Sequence, residues 1–565
     1  MKKPTLKAPK LKAPGLSAVK GGSRTGQSLL AGAAVLGLVF GIAELRAPAS
    51  PTAGADGRRT TTQVERTSLV CPMPLQGAVG TTNLTLFSPE GGTGGAGTGL
   101  LADVTPDNVL AAQNPVRPPA GPSGEPSGQP SGQPSGQASG QPSGQPSGQA
   151  SGQPSGSAAK GGSPVLDTRI TLAKPGAPAT GPAANNSDAG GAFAIATGNL
   201  APGFTVTQTT STEGIASLSG VRCAPSGTSF WFAGASTVND RSDYVTLVNA
   251  DSLPAVVDLR LYGDKGLIDN DLATGIALAP GTSQSYALNG YSKGQVADLA
   301  VHVVARSGRV GVGLHARDGS KGADWLEPSV DPAPTVTIPG IPSDVTTAHL
   351  VVATDSPDDA DLKVQLSGKN GWFTPAGKES IHVKAGMTAT LDFQFTADTR
   401  DGASAIRLTP SDPAHAAPVV AGLRVDRENK GKTESAWLAG GAPVGPRASI
   451  ADNRGGQTAL MLTATDTDAK VRVTSSAGAS GGTPATKEVS VAAGTTVSVD
   501  GLDPAGVNGP YAITVETLSG GPVLAARQLS IGVKDVPTFT TQQLRDDHAT
   551  VQVPHVAGDP GVVLK

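Results

Sequence analysis

The sequence predicts an all-β protein: tandem immunoglobulin/fibronectin-like β-sandwich modules behind one N-terminal transmembrane helix. Three observations predict it. First, short runs of Val, Leu and Tyr alternate with polar residues and are bounded by Asn, Asp, Pro and Gly. In Tyr244–Gly266 one such run, Tyr244–Val248, passes through the polar turn Asn249–Pro254 into a second, Val257–Tyr262, as an antiparallel strand pair should. Second, that pair returns at Ala348–Gly371 and Thr458–Gly478, which makes the chain internally repetitive. Third, residues 25–43 carry no charge and have the apolar centre LLAGAAVLGLVFGIA. As a helix, nineteen residues reach roughly 28 Å, enough to cross a thin hydrocarbon layer.

Composition bounds the rest. At 565 residues there is room for several domains. Gly 75 and Pro 46 make up about a fifth of the chain, and only 3% is aromatic, so the cores must be built from Val, Leu, Ile and Ala. A formal net charge of −3 gives no electrostatic case for nucleic-acid binding.

In chain order, residues 1–24 are basic and hold Lys2, Lys3, Lys7, Lys10, Lys12, Lys20 and Arg24 with no acid. They read as a cytoplasmic segment before a membrane anchor at 25–45, with the remainder of the chain exported. Cleavage of the same segment as a signal peptide is the alternative, since Ala47-Pro48-Ala49 resembles a small-x-small site. Residues 46–64 read as a tether. A first β module is expected over 65–224, interrupted by an insertion at about 89–164. Within the insertion, nine tetrads of the PSGQ type run from Pro122 to Ser157. They have no side chain able to build a core, which predicts a disordered, solvated spacer.

Three similar modules follow, at 225–330, 331–434 and 435–535, each about a hundred residues long with about seven short strands. Each carries an apolar run into a Gly turn, centred on Gly281, Gly386 and Gly494. The first and third of them end in hairpins turning at Ser307-Gly308 and Ser519-Gly520-Gly521. Trp231, Trp325 and Trp437 fall near the module boundaries, which predicts a Trp wedged at each seam. Trp372 departs from that spacing and is the candidate for an exposed ligand contact. Residues 536–565 form a tail whose strand-like run, Thr550-Val-Gln-Val-Pro554, is expected to fold back on the last sandwich.

Chemistry is sparse. Cys71 and Cys223 are the only cysteines, both beyond the anchor, and an oxidising compartment would pair them; two free buried thiols are the alternative. The seven His show no H-x-x-H, H-E-x-x-H or H-x-H spacing, and there is no G-x-S-x-G elbow or phosphate-binding loop. Acidic turns at Asp269–Asp271, Asp355–Asp361 and Asp466–Asp468 match no calcium loop and suit ordinary turn chemistry. No catalytic residue, metal ligand or cofactor site is expected.

A basic N-terminus and one apolar span precede Cys71-Pro72, Cys223-Ala-Pro225 and the Phe-Trp231-Phe strand, set among Gly/Ala/Val-rich repeats. In this the chain resembles the DUF5719 group of actinobacterial envelope proteins, most closely over about 65–90 and 190–535. The resemblance implies location and assigns no activity. The expected function is therefore a non-catalytic, membrane-anchored extracytoplasmic scaffold or interaction module of the cell envelope. The alternative is a glycan-binding or glycan-acting cell-wall protein using loop carboxylates and Trp372. Expected partners are the membrane through 25–45 and envelope proteins or cell-wall glycans.

Overall fold

A computed structural model describes residues 60–74, 80–113, 165–183, 189–213, 216–319, 321–396, 404–429, 431–533 and 536–553. The expected anchor, the tether through residue 59 and the PSGQ tetrads lie outside them. Among the described residues no helix is long and apolar enough to cross a membrane.

The alternating runs are strands. Along Ala360–Gly368, for example, Ala360, Leu362, Val364 and Leu366 are buried while Asp361 and Lys363 are exposed. Tyr244–Asn249 and Ala255–Gly263, however, lie in opposite sheets and do not pair with each other. The same holds for Leu299–Ser307 with Gly311–Asp318 and Tyr511–Gly520 with Val523–Val533, so the expected strand pair and hairpins are turns that cross between sheets. Among the described residues, thirty-two strands arrange themselves as four modules of two four-membered sheets, with short accessory strands beside them. In the second module the eight strands are Ser229–Ala235, Tyr244–Asn249, Ala255–Gly263, Ile276–Leu278, Thr282–Ala287, Leu299–Ser307, Gly311–Asp318 and Gly322–Leu326. Counting within a module, one sheet runs 1-6-3-4 and the other 5-2-7-8, and all four modules repeat this order. Antiparallel pairs 2·5 and 3·6 lie in opposite sheets, as in an immunoglobulin domain. Strand 1, however, pairs with 6 and strand 7 with 2, whereas the immunoglobulin order joins 1 to 2 and 7 to 6.

The repeated Gly turns join strands 4 and 5. Gly281, Gly386 and Gly494 have φ of 65°, 69° and 74°, the left-handed region that admits Gly at least cost.

Three boundaries differ from the sequence reading. The insertion in the first module is folded as far as residue 113. Gly99–Asp103 is the third strand, and Pro106–Gln113 is a helix with Pro at its first position and Thr105 Oγ1 accepting from the Asn108 amide at 3.2 Å. The eighth strand of the third module is Lys432–Ala439, so residue 434 falls inside a strand. The fourth module extends beyond 535 to include Val536–Leu544, which pairs along its length with Val523–Val533. The chain then leaves that module and reaches its own beginning, where the Val64 amide donates to Ala549 O at 3.0 Å. Asp546 and Asp547 still bond to Ala448 and Arg447 of the fourth module, but the strand Thr550–Val553 joins neither of that sandwich's sheets.

Residues 62–551 form one compact unit. Within it the modules close into a ring. The eighth strands, Ser217–Arg222, Gly322–Leu326, Lys432–Ala439 and Val536–Leu544, pack against one another in cyclic order, and the last meets the first. Each module's first strand lies on the seventh strand of the module ahead, including that of the fourth module on the first. The sequence repeat alone is equally compatible with an open row.

Candidate functional site at the ring axis

The seams explain the tryptophans. Trp231 packs with Tyr262 and Ala300 of its own module and with Ala353 and Val420 of the third. Trp437 sits on the third module's eighth strand yet belongs to the core of the second, where the buried Arg241 guanidinium lies 5.1 Å from its ring. Phe539 does the same one module later, entering the third core from the fourth module's eighth strand. Trp325, 1% exposed, abuts Gly313, where an added Cβ would also lie 2.7 Å from Pro72 of the first module.

Trp372 is at a seam too. Its indole N–H donates to Thr465 O of the fourth module at 2.9 Å, and Arg407 covers the ring at 4.4 Å while pairing with Asp466 at 3.0 Å. The ring is half-buried, and its best hydrogen-bond donor and one face are already engaged, which corrects the expectation of an exposed contact residue. Cys71 and Cys223 form a disulfide across 152 positions, buried in the first core.

The fourth–first seam is different in character. Its apolar contact is Phe87 with Ala451 and Ala512. Around that contact lie the Arg447–Asp547 pair at 2.6 Å, packed on Gly203, and Arg222, which donates to Arg545 O at 3.2 Å. On the first module's eighth strand, Gly220 faces Gln542 and Thr540 of the fourth module.

Where the eighth strands converge, two acids are buried. Asp324, 0% exposed, accepts through one oxygen from the amides of Gly220 at 2.9 Å and Trp325 at 2.8 Å and from the Thr540 hydroxyl at 3.1 Å. One carboxyl thereby ties the second module to the first and the fourth. Its other oxygen has no partner. Glu434, 4% exposed, comes from the third module; the N–H groups of Phe539 and Leu218 point toward it without closing a hydrogen bond of ordinary geometry. Burial pushes the Glu434 carboxyl up to about 9, with Asp324 adding to the rise and Arg427 opposing it. Burial also holds Asp324 well above the usual carboxylate range. Nearby Glu327 accepts from the Gln543 amide at 3.1 Å and is raised by burial, against the pull of Arg545, Arg222 and Arg527. Burial lowers Arg222 and Arg527 to about 10.

Two Ser–His contacts raise the question of a nucleophile. Ser219 Oγ is 3.4 Å from His315 Nε2, but both residues are buried, and burial lowers His315 to about 3. Ser229 Oγ is 3.0 Å from His302 Nε2, whose ring stacks on Trp231 and whose Nδ1 has no acid to orient it. Neither pair is a triad. Among the described residues, no group of three or more His, Cys, Asp or Glu is placed to hold a metal. Within the acidic turns, Asp361 meets His382 at 2.8 Å and Asp468 accepts from the Ala493 amide at 2.8 Å, while Asp466 is taken up by Arg407 across the seam.

The model of a family of unknown function, DUF5719, matches residues 180–501, more than half of the chain. The chain belongs to this family. The DUF5719 match begins in the fifth strand of the first module, Ala179–Pro182, and ends just beyond the fifth strand of the fourth, Thr496–Val499, so it contains Arg222, Asp324, Glu327 and Glu434 but not Arg527, Thr540 or Arg545. Comparison with curated proteins returns no match.

Sequence reasoning missed the axial acids. The available signal was position: Asp324 precedes Trp325, and Glu434 lies three residues before Trp437. Both acids ride on the strands that the repeated Trp marks.

Proposed function

We propose that this chain is a non-catalytic, extracytoplasmic scaffold of the cell envelope, held to the membrane by residues 25–45, whose ring presents an interaction surface to another envelope component. Its modules are read as immunoglobulin-like sandwiches with the first and seventh strands exchanged, a reading supported by the interlocked 2·5 and 3·6 pairs. The observation that carries the functional reading is where the charge is spent. Asp324, Glu327 and Arg222, all buried, lie between modules and bind them to one another. An enzyme of this size would more commonly direct such groups into an accessible cleft.

The glycan reading loses its main support with Trp372 occupied at a seam. Cross-linking in intact cells, followed by isolation of the full chain, tests the scaffold. A reproducible envelope partner is the expected result, and uniformly diffuse capture would refute it. External protease added to intact cells should cut within the PSGQ tetrads; protection there, with cutting only after lysis, would place the bulk of the chain on the wrong side. Membrane fractionation separates a retained anchor from cleavage near residues 47–49.

A further inference from the structure

We propose that the Asp324–Glu434 pair is a proton-dependent lock on the ring: while the pair carries a proton the four eighth strands stay packed, and its full ionisation releases the seam between the fourth and first modules. The geometry carries this. The two acids belong to different modules, both lie on the axis, and each faces strands of the first and fourth modules. Three of their four carboxyl oxygens have no hydrogen-bond partner. A buried carboxylate in that state is costly, and a second beside it adds repulsion, so a proton is the cheapest neutraliser.

The charged groups facing the pair do not supply a full counterion. Arg427, of Glu434's own module, is the cation that acts on it, and it also lies over Phe539 at 4.5 Å. Glu327, of Asp324's own module, adds negative charge beside Asp324 and draws to itself Arg222 of the first module and Arg527 and Arg545 of the fourth. His315, beside Ser219, is held neutral by burial.

The fourth–first seam is the one to yield, for two reasons. The first three seams are crossed by continuous chain and this one is not. Its apolar cluster is also small, Phe87 with Ala451 and Ala512, and Thr205, Thr207 and Thr209 on the first module's seventh strand, Thr205–Thr212, keep buried hydroxyls without partners.

The sign follows from linkage. In the opened ring the carboxyls regain ordinary values, so the closed form binds more protons and is favoured at low pH. Closure weakens as pH rises from the ordinary carboxylate range toward the raised value, at most about tenfold per pH unit for one proton.

Hydrogen exchange of the full-length protein between pH 5 and 9, corrected for the intrinsic rate, reads this. Protection of Ser217–Arg222 and Val536–Leu544 should fall by up to about tenfold per unit, while the interior strand Ala360–Gly368 keeps its protection. Glu434→Gln, which mimics the protonated acid, should flatten the profile. A flat wild-type profile would overturn the proposal, as would an unchanged slope in Glu434→Gln or equal loss at Ala360–Gly368. Should Glu434→Gln not fold, Asp324→Asn serves in its place, and the wild-type profile alone still decides against the lock if it is flat.

Discussion

Truncating Trp437 should damage a module to which its own strand does not belong. The indole is 1% exposed and is part of the second module's core, although it is carried by the eighth strand of the third. Replacement of a fully buried large aromatic by Ala typically costs about 3–5 kcal/mol. A second loss adds to it. Arg241, 9% exposed, lies 5.1 Å from the ring and is otherwise held by Asp243 at 2.7 Å, so the variant strips one face from a buried cation, worth about 1 kcal/mol. Burial raises the Asp243 carboxyl despite Arg241, so the pair has little to spare when its cover is removed. Trp437→Ala should therefore lose on the order of 5 kcal/mol. Denaturant unfolding followed by far-ultraviolet circular dichroism avoids the lost fluorophore, and exchange rates on Ala255–Gly263 locate the damage in the second module. A loss below about 1 kcal/mol, or damage confined to the third module, would refute the crossed packing.

The remaining expectations use the same logic. Phe539→Ala should destabilise the third module by about 3 kcal/mol or more, because the ring is 0% exposed within that core; exchange on Ala360–Gly368 checks it. His349 sits between Asp298 of the second module at 2.7 Å and Asp392 at 2.6 Å, and the Asp298 hydrogen bond is the largest cause of its raised pKa. A raised His stabilises fully below its ordinary value near 6.5 and loses that contribution as pH climbs through the raised one. The gap in denaturation midpoint between wild type and His349→Asn should accordingly be widest in mild acid and close toward alkaline pH. Cys71 and Cys223 are 0% and 1% exposed, so a reductant should act slowly on the folded protein. Once it does, the open loop of 152 positions should cost about 5 kcal/mol by chain entropy, read as a midpoint shift with and without reductant.

Local chemistry was readable because local rules set it. Alternation in Tyr244–Val248 and Ala360–Gly368, the left-handed turn at Gly281 and the Trp-marked boundaries follow from period, sterics and repeat spacing. The third strand and helix of the first module escaped notice because Gly99–Gln113 adjoins a glycine-rich run and then the tetrads, whose composition dominates that stretch. The site escaped for a different reason. Asp324 meets Gly220 and Thr540 across 104 and 216 positions, and no pattern in one chain records a contact of that range. Trp372 looked unoccupied because Thr465 and Arg407, which hold it, are remote in sequence.

By itself, then, the sequence determined that the chain folds into repeated antiparallel β modules, places Gly at the recurring turns and brings aromatics to the module boundaries. Only the tertiary structure decided that the modules form a ring and that strand 1 pairs with strand 6. The physical reason is that strand periodicity fixes which face of a strand is buried but not against which partner. Closure depends on four eighth strands meeting at one axis, where burial raises Asp324 and Glu434 in a way neither residue's neighbours in sequence could reveal.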